Sequence, residues 1–564
     1  MSAVQDTKYV APASFFSVPL PPFITALWGS PRMSSFLRPL ALAALSVFLV
    51  LPAWSQGISG ARQACDSGTA AGFACSNVDL ISWMDRSQLT TSPVQTDPFG
   101  NVIQPSFNMN DMWGWKHAES GRSFLIVGRY DGTSFVEVTD PYNPVLIGEL
   151  PSDKRDGSGN VALSAWRDMK VYADHAYIVA DSAPGHGMQV FDLTQLLSYT
   201  HPVVFEPTAR YQRISSAHNI VINEDTGYAY IVGARGSATG DDCGSGLHMI
   251  DLSEPGNPQF AGCYSEYGTS RGGGAYTHDA HCVVYAGPDE DWQGAEICVN
   301  SNEQSVVITN VSDKLAPSTI SVGQYPATEY THQGWLTDDH RYYFQGDELD
   351  EARGSVGNTR TIVWDLQDLD DPVVAAEYLA TRRTIDHNMY VRGHLLFQSQ
   401  YVDGLRILNI SDPEAPEEVG FFDTHPADLG VWDGSWSNYP YMEDGMVAVT
   451  SSVDGLFILQ PHASLLTGVE GSEALPSGIS LLDAYPNPFG AQSMLQVAFS
   501  RSELVRIEIV DMLGRTLQTV FEGNVQAGQT MRHTVSGDGL SAGTYLVRVR
   551  GESFESSRQI IKVQ

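Results

Sequence analysis

Histidine is scarce in this chain, 15 among 564 residues, yet it recurs in one local setting. "YTHDAH" (276–281) and "YTHQGW" (330–335) share Tyr-Thr-His. Segments that align with them read "DMWGW" (111–115), "DMKVY" (168–172), "HNIVI" (218–222), "HNMYV" (387–391) and "DGSWS" (433–437). Their first positions are Asp111, Asp168, His218, His278, His332, His387 and Asp433. Imidazoles arriving from several directions can hold Fe, Zn, Cu or Mn. The expectation is therefore one transition metal bound by His218, His278, His332 and His387. Asp111, Asp168 and Asp433 would be axial carboxylates. Asp279 and Asp386, each beside a histidine, would orient a ring nitrogen. His281 is placed to replace or join His278. The competing expectation is structural: a duplicated histidine that only hydrogen-bonds to the next repeat.

A second cluster of hard oxygen ligands is "GDELDE" (346–351), with Asp347, Glu348, Asp350 and Glu351. It suits Ca²⁺ if the four carboxylates converge, and is otherwise a solvated acidic loop. "GTSRG" (268–272) has the Gly-x-Ser-x-Gly spacing of a hydrolase nucleophile but lacks the strand-turn-helix setting that motif needs. The six cysteines, Cys65, Cys75, Cys243, Cys263, Cys282 and Cys298, include no Cys-x-x-Cys pair, which argues against a cysteine zinc site. An even number in an exported chain implies disulfides. Of the fifteen possible pairings, close spacing favours Cys65–Cys75, Cys243–Cys263 and Cys282–Cys298.

The elements that must position the histidines are repeats. A short apolar strand, a gap, a strand ending near Asp, a Pro-rich turn and a further strand recur seven times. Examples are "FLIVGRYDGTSFVEVTDPYNPVLIGEL" (124–150), "AYIVADSAPGHGMQVFDL" (176–193) and "LLFQSQYVDGLRILNISDPEAPEEVGFF" (395–422). The β-branched, alternating composition reads as strand, and the Pro segments as turns. Several strands per unit of roughly 45–60 residues fit a propeller blade, each inner strand reaching one axis. The expected fold is all-β: a seven-bladed β-propeller followed by a small C-terminal β-sandwich.

The apolar-x-x-apolar-Asp strands followed by Asp-Pro-x-x-Pro resemble the LVIVD-repeat propellers. More narrowly, "GHGMQVFDLTQL", "YTHDAH", "HQGW", "GDELDE" and "IDHNMYVRG" resemble the choice-of-anchor B family, over about residues 60–460. That resemblance implies an exported domain and no settled reaction. The four-histidine ring is similar, by analogy, to the carotenoid oxygenases, in which four His hold iron on a seven-bladed axis. In the tail, Tyr-Pro-Asn-Pro-Phe (485–489), Asp-Met-Leu-Gly-Arg (511–515) and Ala-Gly-Thr-Tyr (542–545) resemble the C-terminal sorting domain of type IX secretion. The resemblance implies a Bacteroidetes-like outer membrane, with the type IX machinery as partner.

Other boundaries follow. Residues 33–57, "MSSFLRPLALAALSVFLVLPAWSQG", read as a signal peptide cleaved after Ser55, with 1–32 an upstream extension. Residues 56–100 form an N-terminal segment, 101–466 the propeller, 467–480 a linker and 481–564 the sorting domain. No transmembrane anchor is expected in the mature chain. Acids outnumber bases 66 to 32, and the net charge of −34 argues against nucleic acid and anionic membranes as partners. Two functions fit: an exported surface or secreted binding module for an extracellular ligand, or a metal-dependent enzyme, oxidative or hydrolytic.

Overall fold

The computed structural model describes residues 57–91, 108–153, 163–236, 243–427 and 431–466, and most of 479–563. The signal peptide, the upstream extension and nearly all of the linker fall outside the described residues. The chain is all-β, built from many small antiparallel sheets. Seven of these share one plan. Their first strands are β1 (Met109–Lys116), β2 (Arg167–Tyr172), β3 (Asn219–Asn223), β4 (Asp279–Val284), β5 (Thr331–Leu336), β6 (Met389–Arg392) and β7 (Ser435–Tyr439). In each sheet three further strands are laid beside the first in antiparallel order. β1 contacts β2, each first strand contacts the next, and β7 returns to β1, so the seven close into a cycle.

The closing sheet corrects one boundary. Val78–Met84 pairs antiparallel with Gly455–Pro461, so the N-terminal segment is not separate but supplies the outermost strand of the last sheet. Joining the two ends of the chain in one sheet ties the cycle shut and removes two open strand edges.

The Asp or Asn that repeatedly ends the third strand has a local cause. Asp192, Asp251, Asn310, Asp365 and Asn409 each accept a hydrogen bond on a side-chain oxygen from the backbone N–H two residues on, at 2.7–3.0 Å. This Asx turn stops the strand and starts the Pro-rich return. Between sheets lie apolar layers, such as Phe135, Phe191 and Phe205 between the first and second. All six cysteines are paired as their spacing suggested: Cys65–Cys75, Cys243–Cys263 and Cys282–Cys298. In the tail, the sheet of Ile479–Tyr485, Gln492–Phe499 and Thr530–Ser536 and a four-stranded sheet enclose one apolar core.

His186 gives this scaffold an acid-sensitive point. It is fully buried, and its Nε2 accepts a hydrogen bond from Arg167 at 3.0 Å. Burial, with the neighbouring guanidinium, holds its pKa down to about 3. Between an unfolded value near 6.5 and that folded value, the unfolded chain binds more protons, so stability falls as pH drops through this window. His186→Gln is expected to reduce that decline by about 1.4 kcal/mol per pH unit, read from denaturant unfolding at pH 6.5, 5.5 and 4.5. Identical slopes in the two proteins would contradict it.

Candidate metal centre

Four neighbouring first strands bring their histidines to one level of the axis. His218 and His278 immediately precede β3 and β4, His332 is the second residue of β5, and His387 lies two residues before β6. All four are buried. Ring centroids are 4.2 Å apart for His218–His278, 4.3 Å for His278–His332 and 4.5 Å for His332–His387. The rings thus form a continuous arc. Gly233, at φ +61°, lets it close up: a Cβ there would lie 2.7 Å from His218 Cβ and 2.9 Å from Tyr276 Oη.

The orientation of the rings is chemically specific. His278 Nδ1 donates to the carbonyl of His332 at 2.9 Å, and His387 Nδ1 to the carbonyl of Trp436 at 2.5 Å. His218 Nδ1 bonds the Asp181 carboxylate at 3.0 Å. Anchoring Nδ1–H in this way leaves Nε2 with its lone pair free, the arrangement that orients metal-ligating histidines. His332 Nδ1 has no hydrogen-bond partner among the described groups. Burial holds His278 and His332 well below the usual histidine range, and His387 at about 3. Neutral imidazole is the form that ligates.

Glu348 completes the cluster. It directly follows the second strand of the fifth sheet, Tyr342–Asp347. Its carboxyl oxygens lie 3.9 Å from Nε2 of both His332 and His387, and Tyr401 Oη donates to it at 2.7 Å. One ligand atom each from His332, Glu348 and His387 lies within 4.8 Å of the other two. Burial pushes the Glu348 carboxyl up to about 7.

The four acids of this loop have different partners. Asp347 turns away to accept backbone N–H groups of Glu329 and Tyr330 and the Tyr325 hydroxyl. Asp350 pairs with Arg360 at 2.8 Å, and Glu351 accepts the Arg360 N–H. Of the four acids in the expected calcium loop, Glu348 alone lies within 4 Å of a histidine nitrogen, while Asp350 Oδ1 and Glu351 Oε2 are buried with no hydrogen-bond partner among the described groups.

The expected carboxylates also redistribute. Asp111, Asp168 and Asp279 face the axis one residue further along the strands than the histidines. There Asp168 pairs with Lys170 at 2.7 Å, Asp111 accepts from Asn388 at 2.9 Å and Asp279 from Asn219 at 3.0 Å. Burial, with Asp168 nearby, pushes Asp279 up to about 8. Asp279 accepts no histidine N–H, and both Asp386 oxygens lack a hydrogen-bond partner among the described groups. Orientation instead comes from two backbone carbonyls and from Asp181. Asp433 sits in the turn before β7, and Trp436 holds the place assigned to it. The Trp436 carbonyl receives His387 as the His332 carbonyl receives His278. His281, an odd number of residues from His278, points to the other face and stacks on Trp335 at 3.8 Å.

Asp181 and Glu348 were both missed as partners of the histidines. Each stands immediately after the second strand of its repeat, a position whose residue type does not recur from repeat to repeat. Above the arc opens a cavity of about 640 Å³ whose walls include His218, His278, Glu348, Arg235, Arg271 and Tyr276.

Among solved structures, the chain is similar to PorZ, an essential bacterial surface component of the type-IX secretion system of Porphyromonas gingivalis. The identity is 13% and the TM-score 0.41, covering 87% of this chain and 64% of PorZ, less than two thirds of its length. A protein from Lactobacillus plantarum matches at 11% identity and TM-score 0.38, covering 76% of this chain and all of that one (100%). The C-terminal WD40 domain of Sif2 matches at 9% identity and TM-score 0.39, covering 62% of this chain and 96% of that domain. No curated protein sequence matches the chain. Residues 483–563 match the family described as "Secretion system C-terminal sorting domain", so the chain ends in a type IX sorting domain and is directed to the cell surface or the extracellular space.

Proposed function

We propose that this is an exported binding module: a seven-bladed β-propeller with a C-terminal β-sandwich, whose binding centre is a transition metal on the propeller axis. His332, His387 and Glu348 form the core of the ligand set, and His278 and His218 continue it. One observation carries the reading: the Nδ1 atoms of His218, His278 and His387 are anchored, which leaves their Nε2 atoms free, and Glu348 stands 3.9 Å from Nε2 of both His387 and His332. Imidazole with carboxylate suits Fe, Zn, Mn or Cu. The closed cycle of first strands and the Asx turns support the resemblance to LVIVD-repeat propellers of the choice-of-anchor B type. Three disulfides fit an oxidising, exported setting. No helix among the described residues is long and apolar enough to cross a membrane.

A second reading, a metal-dependent enzyme, draws on the cavity, which gives a small molecule access to His218, His278 and Glu348. The two share the metal and part on turnover of a bound ligand. Protein recovered from its natural host is expected to carry about one equivalent of a transition metal by elemental analysis, and a metal-free protein that takes up none on titration would overturn both. Removing residues 483–563 is expected to leave the chain in the periplasm instead of at the surface or in the medium, checked by fractionation. Unchanged export would remove the tail from the account.

A further inference from the structure

The repeated Tyr-Thr-His has a second half that the metal does not use. Each tyrosine packs near its own histidine, with ring centroids 6.4 Å apart for Tyr276–His278 and 6.2 Å for Tyr330–His332. Tyr276 and Tyr330 rise from the arc into the cavity, with Tyr330 5.1 Å from the His278 ring. Each carries a guanidinium on its ring face: Arg235 lies 5.5 Å from the Tyr276 centroid and Arg271 4.5 Å from that of Tyr330. The two arginines come from different loops and both line the cavity.

Three acids share the cavity wall with the two arginines, and each has a hydrogen-bond partner of its own. Asp181 holds His218, Glu303 accepts the backbone N–H of Arg271, and Glu348 holds Tyr401. Arg271 gives one donor to the Glu329 carbonyl, a small part of the five a guanidinium offers. Stacking on tyrosine fixes each fork in place, so little side-chain freedom is lost when an oxyanion binds. At the rim stand two aromatic rings with much of their surface exposed, Trp166 at 43% and Tyr267 at 69%. Exposed aromatic rings lining a cavity match the flat face of a sugar.

From this arrangement we infer that the cavity binds an acidic sugar, its oxyanion held between Arg235 and Arg271 and its ring against Trp166 and Tyr267. A cavity of about 640 Å³ holds such a ring with room to spare. The inference rests on the metal reading only for what lies beneath the sugar. The oxyanion could be a carboxylate, a sulfate or a phosphate, since guanidinium recognises all three by the same forked hydrogen bonds.

The test is calorimetric titration of the full mature chain, metal-loaded, with D-glucuronate, D-glucose 6-sulfate, D-glucose 6-phosphate and D-glucose. At least one charged sugar is expected to bind about ten-fold or more tightly than glucose, and the preferred one identifies the oxyanion. Arg235→Gln with Arg271→Gln is expected to lose that preference while metal content by elemental analysis stays at the wild-type level. Equal affinity for glucose and all three anions, no binding by any of the four, or a double variant that keeps the preference would each overturn the inference. Failure here with metal retained leaves the metal centre standing; loss of metal in the wild type with anion preference intact would remove the metal and keep the sugar site.

Discussion

Replacing His332 and His387 together with alanine is expected to abolish binding of the transition metal while leaving the folded chain intact. These two residues supply the ring nitrogens that share Glu348 at 3.9 Å each. Losing both leaves a single carboxylate opposite His278 and His218, too few donors on one side to close a coordination sphere. Metal content by elemental analysis should fall from about one equivalent to near zero, with far-UV circular dichroism unchanged. A graded companion is Asp181→Asn. It keeps a hydrogen-bonding group beside His218 Nδ1 but removes the charge, and should weaken metal affinity about 10–100-fold, the usual effect of changing an orienting partner. Metal retained at wild-type affinity in the double alanine variant would return the arc to a purely structural role, with each histidine serving only to bond the next strand.

The largest expected effect on stability lies between the third and fourth sheets. Lys314 and Glu296 are both buried and pair at 2.6 Å. Glu296 also accepts from Asn223 at 2.9 Å, Thr226 at 2.7 Å and Tyr230 at 2.5 Å, all on the third sheet. Lys314 Nζ donates to the Val311 carbonyl and lies 4.0 Å over the Tyr228 ring. The pair therefore clamps one sheet to the next. Lys314→Met removes the cation and leaves a carboxylate in the interface without its counter-ion, which is expected to cost about 3–5 kcal/mol. Adding Glu296→Gln removes the stranded charge and keeps an acceptor for Tyr230, so the double variant should recover about half of that loss. Denaturant unfolding of the two single variants and the double closes the cycle. A Lys314→Met protein within about 1 kcal/mol of wild type would mean that water reaches Glu296 and the clamp is weak.

Much of the fold was legible because its signals are local. The period of apolar strands, the Asp or Asn that forms an Asx turn and the proline that follows are each set by a few neighbouring residues. The cysteine pairs were readable for the same reason: Cys282 and Cys298 face each other on adjacent strands of one hairpin. The exception was the N-terminal segment. Val78–Met84 pairs with Gly455–Pro461, and no local pattern reports a partner that far along the chain.

The candidate centre divides along the same line. Sequence alone determined that His218, His278, His332 and His387 occupy equivalent places, because duplicated units carry the same residue at the same strand position. It also determined the export tail, a contiguous motif. Only the tertiary structure decided what surrounds those rings. Glu348 lies 3.9 Å from two histidine nitrogens while its neighbour Asp347 turns to the backbone of Glu329 and Tyr330, since one step along a strand reverses the direction of a side chain. Trp436 takes the place given to Asp433, because a three-residue slip in a short segment leaves its composition equally plausible. Asp181 reaches His218 from the neighbouring sheet, across 37 positions of sequence. Closing the chain around an axis is what makes such distant residues neighbours, and that closure depends on all seven sheets at once.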